Sequence, residues 1–236
     1  MEKRELAYEG KAKQVYLTDD PTKVIIHHKD DASAFNGVKR SSITNKGVLN
    51  NSISTKLMTM LGEEGIPTHL VAKLNDRDQL CERVDIFPLE VIVRNTIAGS
   101  MAARLGIEEG TVPTNVIYEL CYKNDAYGDP LINEDHAVAL GLATYEELAR
   151  IKELTLAIDE MLIKYFRSQG INLVDFKIEF GKTADGRIVL ADEISPDSCR
   201  LWDIETGEKL DKDRFRRDLG GIEEAYVEIL NRVSAL

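Results

Sequence analysis

Two apolar-alternating runs, Leu173–Phe180 and Arg187–Ile194, are separated by Asp185-Gly186, the strongest short-range signal for a β-hairpin. This hairpin constrains the chain more than any other stretch, because alternation assigns every side chain to one face or the other. Asp175, Lys177 and Glu179 point one way, and Phe176, Ile178 and Phe180 point the other. A two-residue turn at Asp185-Gly186 sets Glu179 directly opposite Asp192. Carboxylates about 5 Å apart repel unless a positive group lies between them, and Mg²⁺ carrying nucleotide phosphates is one such group. Lys177 would add a cation for the same phosphates. A solvated hairpin face with a Lys–Glu pair accounts for the pattern equally well.

The 236 residues suffice for a sizeable core, in one compact unit or two lobes. A formal charge of −11 argues against a general nucleic-acid binder, which needs a basic face. Cys81, Cys121 and Cys199 are widely spaced and form no CxxC pair, so neither a disulfide framework nor a zinc site is indicated. With no apolar leader and no long apolar run, the expectation is a reduced, cytoplasmic protein without membrane association.

Near the N-terminus, a hairpin turned at Gly10 would place Lys11, Lys13 and Val15 on one strand face. Two lysines at i and i+2 suit an oligophosphate, with Gly10 allowing close backbone approach; an edge strand blunted by lysines also fits. His27 and His28 read as strand residues, and Asp30–Gly37 as a loop. Leu49, Ile53, Leu57, Met60 and Leu61 fall at helical spacing between Lys46 and Gly62. Strands are expected at Thr68–Leu74, Gln79–Val84 and Leu89–Arg94, with a hinge at Asp85–Pro88.

Ser100 stands where the N-cap of a short helix over Met101–Leu105 would lie, stopped by Gly106. It is either a plain cap or, with Arg94, part of a phosphate site. Lys123, Asp125 and Asp129 occur in a turn-rich loop and would either line a pocket or serve the turn. The long helix is marked by Thr144 with Glu147 as capping box, the stripe Leu148, Ile151, Leu154, Ile158, Leu162 and Tyr165, and Gly170 as stop. Asp211–Arg217 and Ile222–Val233 read as closing helices divided by Gly220-Gly221.

Three stretches in this order, Ile86–Arg94 with Ala98-Gly99-Ser100, Leu173–Gly181, and Asp192–Ser198 with Arg200-Leu201-Trp202, closely resemble the SAICAR synthetase family, the phosphoribosylaminoimidazole-succinocarboxamide synthases of purine biosynthesis. The resemblance runs from Gly10–Lys13 (GKAK) to Asp211–Arg216 (DKDRFR). It implies an ATP-dependent ligase joining L-aspartate to the carboxylate of the ribonucleotide CAIR, giving SAICAR, ADP and phosphate. It also implies an α+β fold of mainly antiparallel sheets with flanking helices, related to ATP-grasp and kinase-like nucleotide folds. The lobes would be residues 1–85 and 86–236, in a homodimer using Mg²⁺.

By resemblance, Gly10, Lys11, Ala12, Lys13 and Val15 cover the nucleotide phosphates, Ile86 marks the adenine hinge, and Lys123 contacts the nucleotide. Lys177, Asp175 and Asp129 stand at the reacting centre, and Glu179 and Asp192 hold the metal. Arg94, Ser100 and Arg200 cradle the 5′-phosphate of CAIR, with Asp197 beside it. Ser33, Lys212 and Arg214 suit a dicarboxylate, which needs positive partners. This chain departs from some relatives at Asn36, where SAFNG replaces an SAGDG-like run. Two alternatives are weighed: another ATP-dependent carboxylate–amine ligase, which would not need the phosphate cradle, and a nucleotide-binding regulatory module without turnover.

Overall fold

The computed structural model describes residues 1–34 and 37–235; Asn36 lies outside the described residues. The chain opens with β1 (Leu6–Glu9), β2 (Lys13–Leu17) and β3 (Lys23–His28). Gly10–Ala12 forms the first turn, closed by the Gly10 N–H donating to the Lys13 carbonyl at 2.8 Å. Where a loop was expected, β4 (Asp31–Ala34) pairs with β5 (Lys39–Ser42). Next come α1 (Lys46–Glu63), β6 (Leu70–Lys73) and β7 (Asp78–Glu82). The order β1-β2-β3-β7-β6 makes a five-stranded antiparallel sheet.

Of the expected hinge Asp85–Pro88, the first two residues belong to a strand, β8 (Val84–Ile86), which pairs with the second sheet, and Phe87-Pro88 lie outside the strands. Strand β8 is followed by β9 (Leu89–Arg94), α2 (Gly99–Leu105), β10 (Ile117–Tyr122) and β11 (Leu131–Ile132). A short helix, α3 (Glu134–Ala139), precedes α4 (Tyr145–Ser168), then β12 (Ile171–Thr183), β13 (Ile188–Ala191) and β14 (Cys199–Asp203). The chain closes with α5 (Asp213–Arg216) and α6 (Ile222–Ser234). Thirteen-residue β12 is the organising strand of the second sheet, pairing antiparallel with β8, β9, β13 and β14.

Alternation on β12 is as the sequence requires. Phe176, Ile178 and Phe180 are buried in the main core with Leu148, Ile151, Leu154, Ile158, Leu162 and Phe166 of α4. Each such side chain contributes about 1.5–3 kcal/mol by leaving water. The expected box caps α4: the Glu147 N–H donates to Thr144 Oγ1 at 3.2 Å and the Thr144 N–H to Glu147 Oε2 at 2.9 Å. Helix α1 packs into the same core through Leu49, Ile53, Leu57 and Leu61, while the first sheet buries a smaller cluster of its own, Val24, Ile26 and Cys81.

The hairpin turn differs from expectation. Glu179 pairs with Ala191, not Asp192, because the loop is Ala184-Asp185-Gly186, one residue longer. The Thr183 N–H donates to the Arg187 carbonyl at 2.9 Å and the Gly186 N–H to the Thr183 carbonyl at 2.9 Å. Gly186 takes φ +87°, as the last residue of a three-residue hairpin loop does. Ala191 therefore shares the face of Glu179, and a regular strand would turn Asp192 away. Asp192 instead adopts φ +59°, a left-handed conformation tolerated by aspartate, as β13 ends. Its side chain returns to the side of Lys177.

Ile158→Ala removes a side chain with 0% exposure at the α4–β12 contact. Urea denaturation is expected to show a loss of about 2–5 kcal/mol, the range for deleting a buried aliphatic side chain.

Candidate active site

Lys177 stands on the polar face of β12, donating to Glu179 Oε1 at 2.8 Å and to Asp192 Oδ2 at 3.4 Å, with Glu90 Oε1 at 3.6 Å. Lys13 from the first sheet pairs with Asp192 and lies 3.3 Å from Glu193; Lys123 holds the other Glu179 oxygen. Three ammonium groups thus face four carboxylates. Burial works against the charge on Lys177, but Glu179, Asp192 and Glu90 outweigh it and raise its pKa well above the ordinary lysine value. Burial likewise opposes ionisation of Asp192, and Lys13 and Lys177 overcome it, holding the carboxyl below its usual range. Glu90 moves upward, chiefly through burial, with Asp129 and Glu179 adding to the shift.

Above this floor lies a cleft of about 1020 Å³ between the sheets. Gly10, Lys11, Ala12, Lys13 and Val15 line one wall; Ile86, Lys123 and Asp129 line the other. Lys11 and Lys13 do not share a strand face as expected. Lys11 belongs to the turn before β2 and crosses the cleft to Asp125 at 2.6 Å, while Lys13 drops to the floor.

A second cavity, about 360 Å³, adjoins the first, with Lys11, Ala12, Ser33, Glu90, Lys177 and Asp192 lining both. Its basic wall is Arg94 with Arg200. Asp175 Oδ2 accepts from Arg94 Nη1 at 2.9 Å and from Arg200 Nη1 at 2.8 Å; Glu119 and Asp213 hold the remaining edges of the two guanidiniums. Gly99 makes this arrangement possible. It takes φ +56°, and a Cβ there would lie 2.3 Å from Arg200 Nη2.

Asp197 also lines the second cavity, with one oxygen on Lys46 Nζ (2.5 Å) and the other on Tyr226 Oη (2.7 Å). Burial opposes its ionisation, but Lys212 and Lys46 hold it below the usual carboxylate range. Lys212 Nζ makes no hydrogen bond among the described residues, and burial pulls its pKa down. Among the basic groups lining the second cavity it is the one without a hydrogen-bonding partner among the described residues.

Two expectations are corrected. Ser100 is not a helix cap: Ala98 occupies that position, Ser100 lies inside α2, and its hydroxyl accepts from Arg94 Nη2 at 3.4 Å. Arg214 lines neither cavity, because its guanidinium is spent on Gly220 O (2.7 Å), Glu208 (2.6 Å) and Lys209 O (3.0 Å), closing the turn after α5. Arg216, four residues beyond Lys212, lines the second cavity in its place. Glu90 was also overlooked, though it alternates with Ile92 and Arg94 on one face of β9.

Among the described residues no group of three or more His, Cys, Asp or Glu forms a self-sufficient metal cage. Glu179 and Asp192, both bonded to Lys177, nevertheless fit Mg²⁺, which takes one or two carboxylates and completes its shell with phosphate oxygens and water.

The family model described as SAICAR synthetase matches residues 6–233. The phosphoribosylaminoimidazole-succinocarboxamide synthase of Fusobacterium nucleatum is 65% identical over 99% of this chain and 99% of its own length. That of Dichelobacter nodosus is 62% identical over 100% and 99%. The crystal structure of the Ehrlichia chaffeensis synthase matches with TM-score 0.96 at 46% identity, covering 98% of this chain and 99% of that one. A SAICAR synthetase in complex with ADP matches with TM-score 0.95 at 47% identity, covering 98% of each.

Asp197→Asn leaves Lys46, whose side chain is 1% exposed, without its carboxylate, an expected loss of about 3–5 kcal/mol at pH 7. Because the folded pKa of Asp197 is depressed, its contribution is present above the unfolded carboxyl value and lost as pH falls through the folded one. Denaturation of both proteins should show the gap narrowing on acidification.

Proposed function

The chain belongs to the SAICAR synthetase family, and from that membership we propose that its adjoining cavities divide the reaction, ATP occupying the larger and CAIR the smaller. The observation carrying this reading is their common wall: Lys177 and Asp192 line both. A γ-phosphoryl group over Lys13 would meet a carboxylate arriving from the basic wall across that boundary. In this reading the two sheets belong to an N-terminal and a C-terminal lobe, and because β8 (Val84–Ile86) pairs with the second sheet the boundary moves from 85/86 to before Val84, with Ile86 at the adenine end of the cleft.

A carboxylate is a poor acyl donor because its leaving group is an oxide. Transfer of the γ-phosphoryl group converts it to an acyl phosphate and releases ADP; the aspartate amine then attacks the acyl carbon, loses a proton, and phosphate departs. Catalysis is chiefly alignment and charge neutralisation. Lys11 and Lys13 hold the phosphates under the Gly10–Ala12 turn, Lys123 steadies the nucleotide, and Lys177 neutralises the group in transit. Glu179 and Asp192 would hold Mg²⁺, which would supply further neutralisation of phosphate oxygens.

Arg94 and Arg200, with Ser100, bind the 5′-phosphate of CAIR. Asp175 fixes the spacing of the two guanidiniums, and Asp129 closes the nucleotide side. Lys212, Ser33 and Arg216 receive the carboxylates of aspartate beside Asp197. Arg214 takes no part. The same reading extends to a homodimer in the cytoplasm, a reducing compartment with which the three free, buried cysteines accord.

An ADP-release assay omitting one substrate at a time tests the function. Turnover should require CAIR and L-aspartate together and fail with glutamate in place of aspartate. ADP release that ignores either substrate would sink the assignment. Glu179→Gln and Asp192→Asn are each expected to reduce Mg²⁺-dependent kcat by about 10²-fold or more, with the circular-dichroism spectrum unchanged. Near-normal kcat in both would refute the metal role.

A further inference from the structure

Glu193 is only 5% exposed, yet its carboxylate is poorly satisfied. Oε1 lies 3.3 Å from Lys13 Nζ, and Oε2 is buried without a hydrogen-bond partner among the described residues. Lys13 is the ion-pair partner of Glu193 among those residues, and it comes from the opposite sheet. Two histidines of the first sheet's side, His28 and His69, also have buried Nε2 atoms without partners.

A carboxylate kept for stability alone would be expected to have both oxygens satisfied. Among the described residues Glu193 has one cation within ion-pair distance, shared with Asp192, while Lys212 acts on it only from farther off. The sharing is unequal in what happens next. Asp192 opens onto both cavities, whereas Glu193 lines only the smaller one, behind it. Were Asp192 to turn to a cation carrying phosphate, Lys13 would lose one anchor and keep the other.

We propose that Glu193 is a positioning residue, holding Lys13 on the cleft floor after Asp192 has been drawn away, so that the ammonium meets the phosphate in one place rather than several. This rests on reading the larger cavity as the nucleotide site. Removing the charge of Glu193 should not weaken nucleotide binding, since it also removes a competitor for Lys13; the loss should fall on turnover.

Glu193→Gln in the full-length chain tests this. With Mg²⁺ present, kcat is expected to fall about tenfold or more while the calorimetric Kd for ADP stays within about threefold. An unchanged kcat, or equal losses in kcat and ADP affinity, would overturn the proposal. A second measurement needs no ligand: melting of Lys13→Met, Glu193→Gln and the double variant. Lys13→Met strands a buried carboxylate, so adding Glu193→Gln should recover about half or more of its loss. Strictly additive losses would overturn the pairing. Failure of the wild-type protein to bind ADP would count against the nucleotide reading instead, and the melting cycle would still decide the pair.

Discussion

Charge pairing on the floor of the cleft governs this molecule. The polar face of β12 carries Lys177 and Glu179 into the cleft as a pair, and Asp192, Lys13 and Lys123 complete the set. Two of these groups, Lys13 and Lys123, arrive from outside the hairpin, one from each side of the cleft. The sheets are therefore tied at their floor by ion pairs that a phosphate and its cation could exchange partners with. Such a site needs little rearrangement to receive a highly charged ligand, because attraction for the ligand replaces attraction already present.

The smaller cavity follows the same rule with different chemistry. Arg94 and Arg200 converge on a single oxygen of Asp175, which keeps two like charges close while their other edges are held by Glu119 and Asp213. Guanidinium suits this work: it stays charged and presents several donors in a fixed plane. Behind it, the Lys46–Asp197–Tyr226 cluster joins the start of α1 and the middle of α6 to the loop before β14. Helices from the two ends of the chain thus share responsibility for one cavity wall.

Much of this was legible in the residues. Alternation on β12 placed Lys177 and Glu179 on one face and three core residues on the other, and the capping box at Thr144 located α4. What alternation cannot supply is loop length, so Asp185-Gly186 passed for a two-residue turn although Gly186 ends a three-residue one. Nor does local pattern reveal long-range partners. Lys46 lies 151 positions from Asp197 in the chain, and Lys13 lies 179 from Asp192. Arg214 and Arg216 are both basic and two residues apart in a four-residue helix; only the fold separates the one closing a turn from the one facing a cavity. The β4–β5 hairpin escaped notice because its polar residues, Asp31 to Ser42, read equally well as loop.

The left-handed backbone at Asp192 has a consequence for how this chain can change. A three-residue loop puts the ladder out of phase with the site, and one residue of inverted φ restores the phase. Shortening the loop by a residue would bring the carboxylate across without any inversion, and the existing twist would then throw it outward. Loop length and the handedness at position 192 therefore form a parity pair: relatives that gain or lose a residue in the turn are expected to differ at both places together, or to have moved the acidic residue itself.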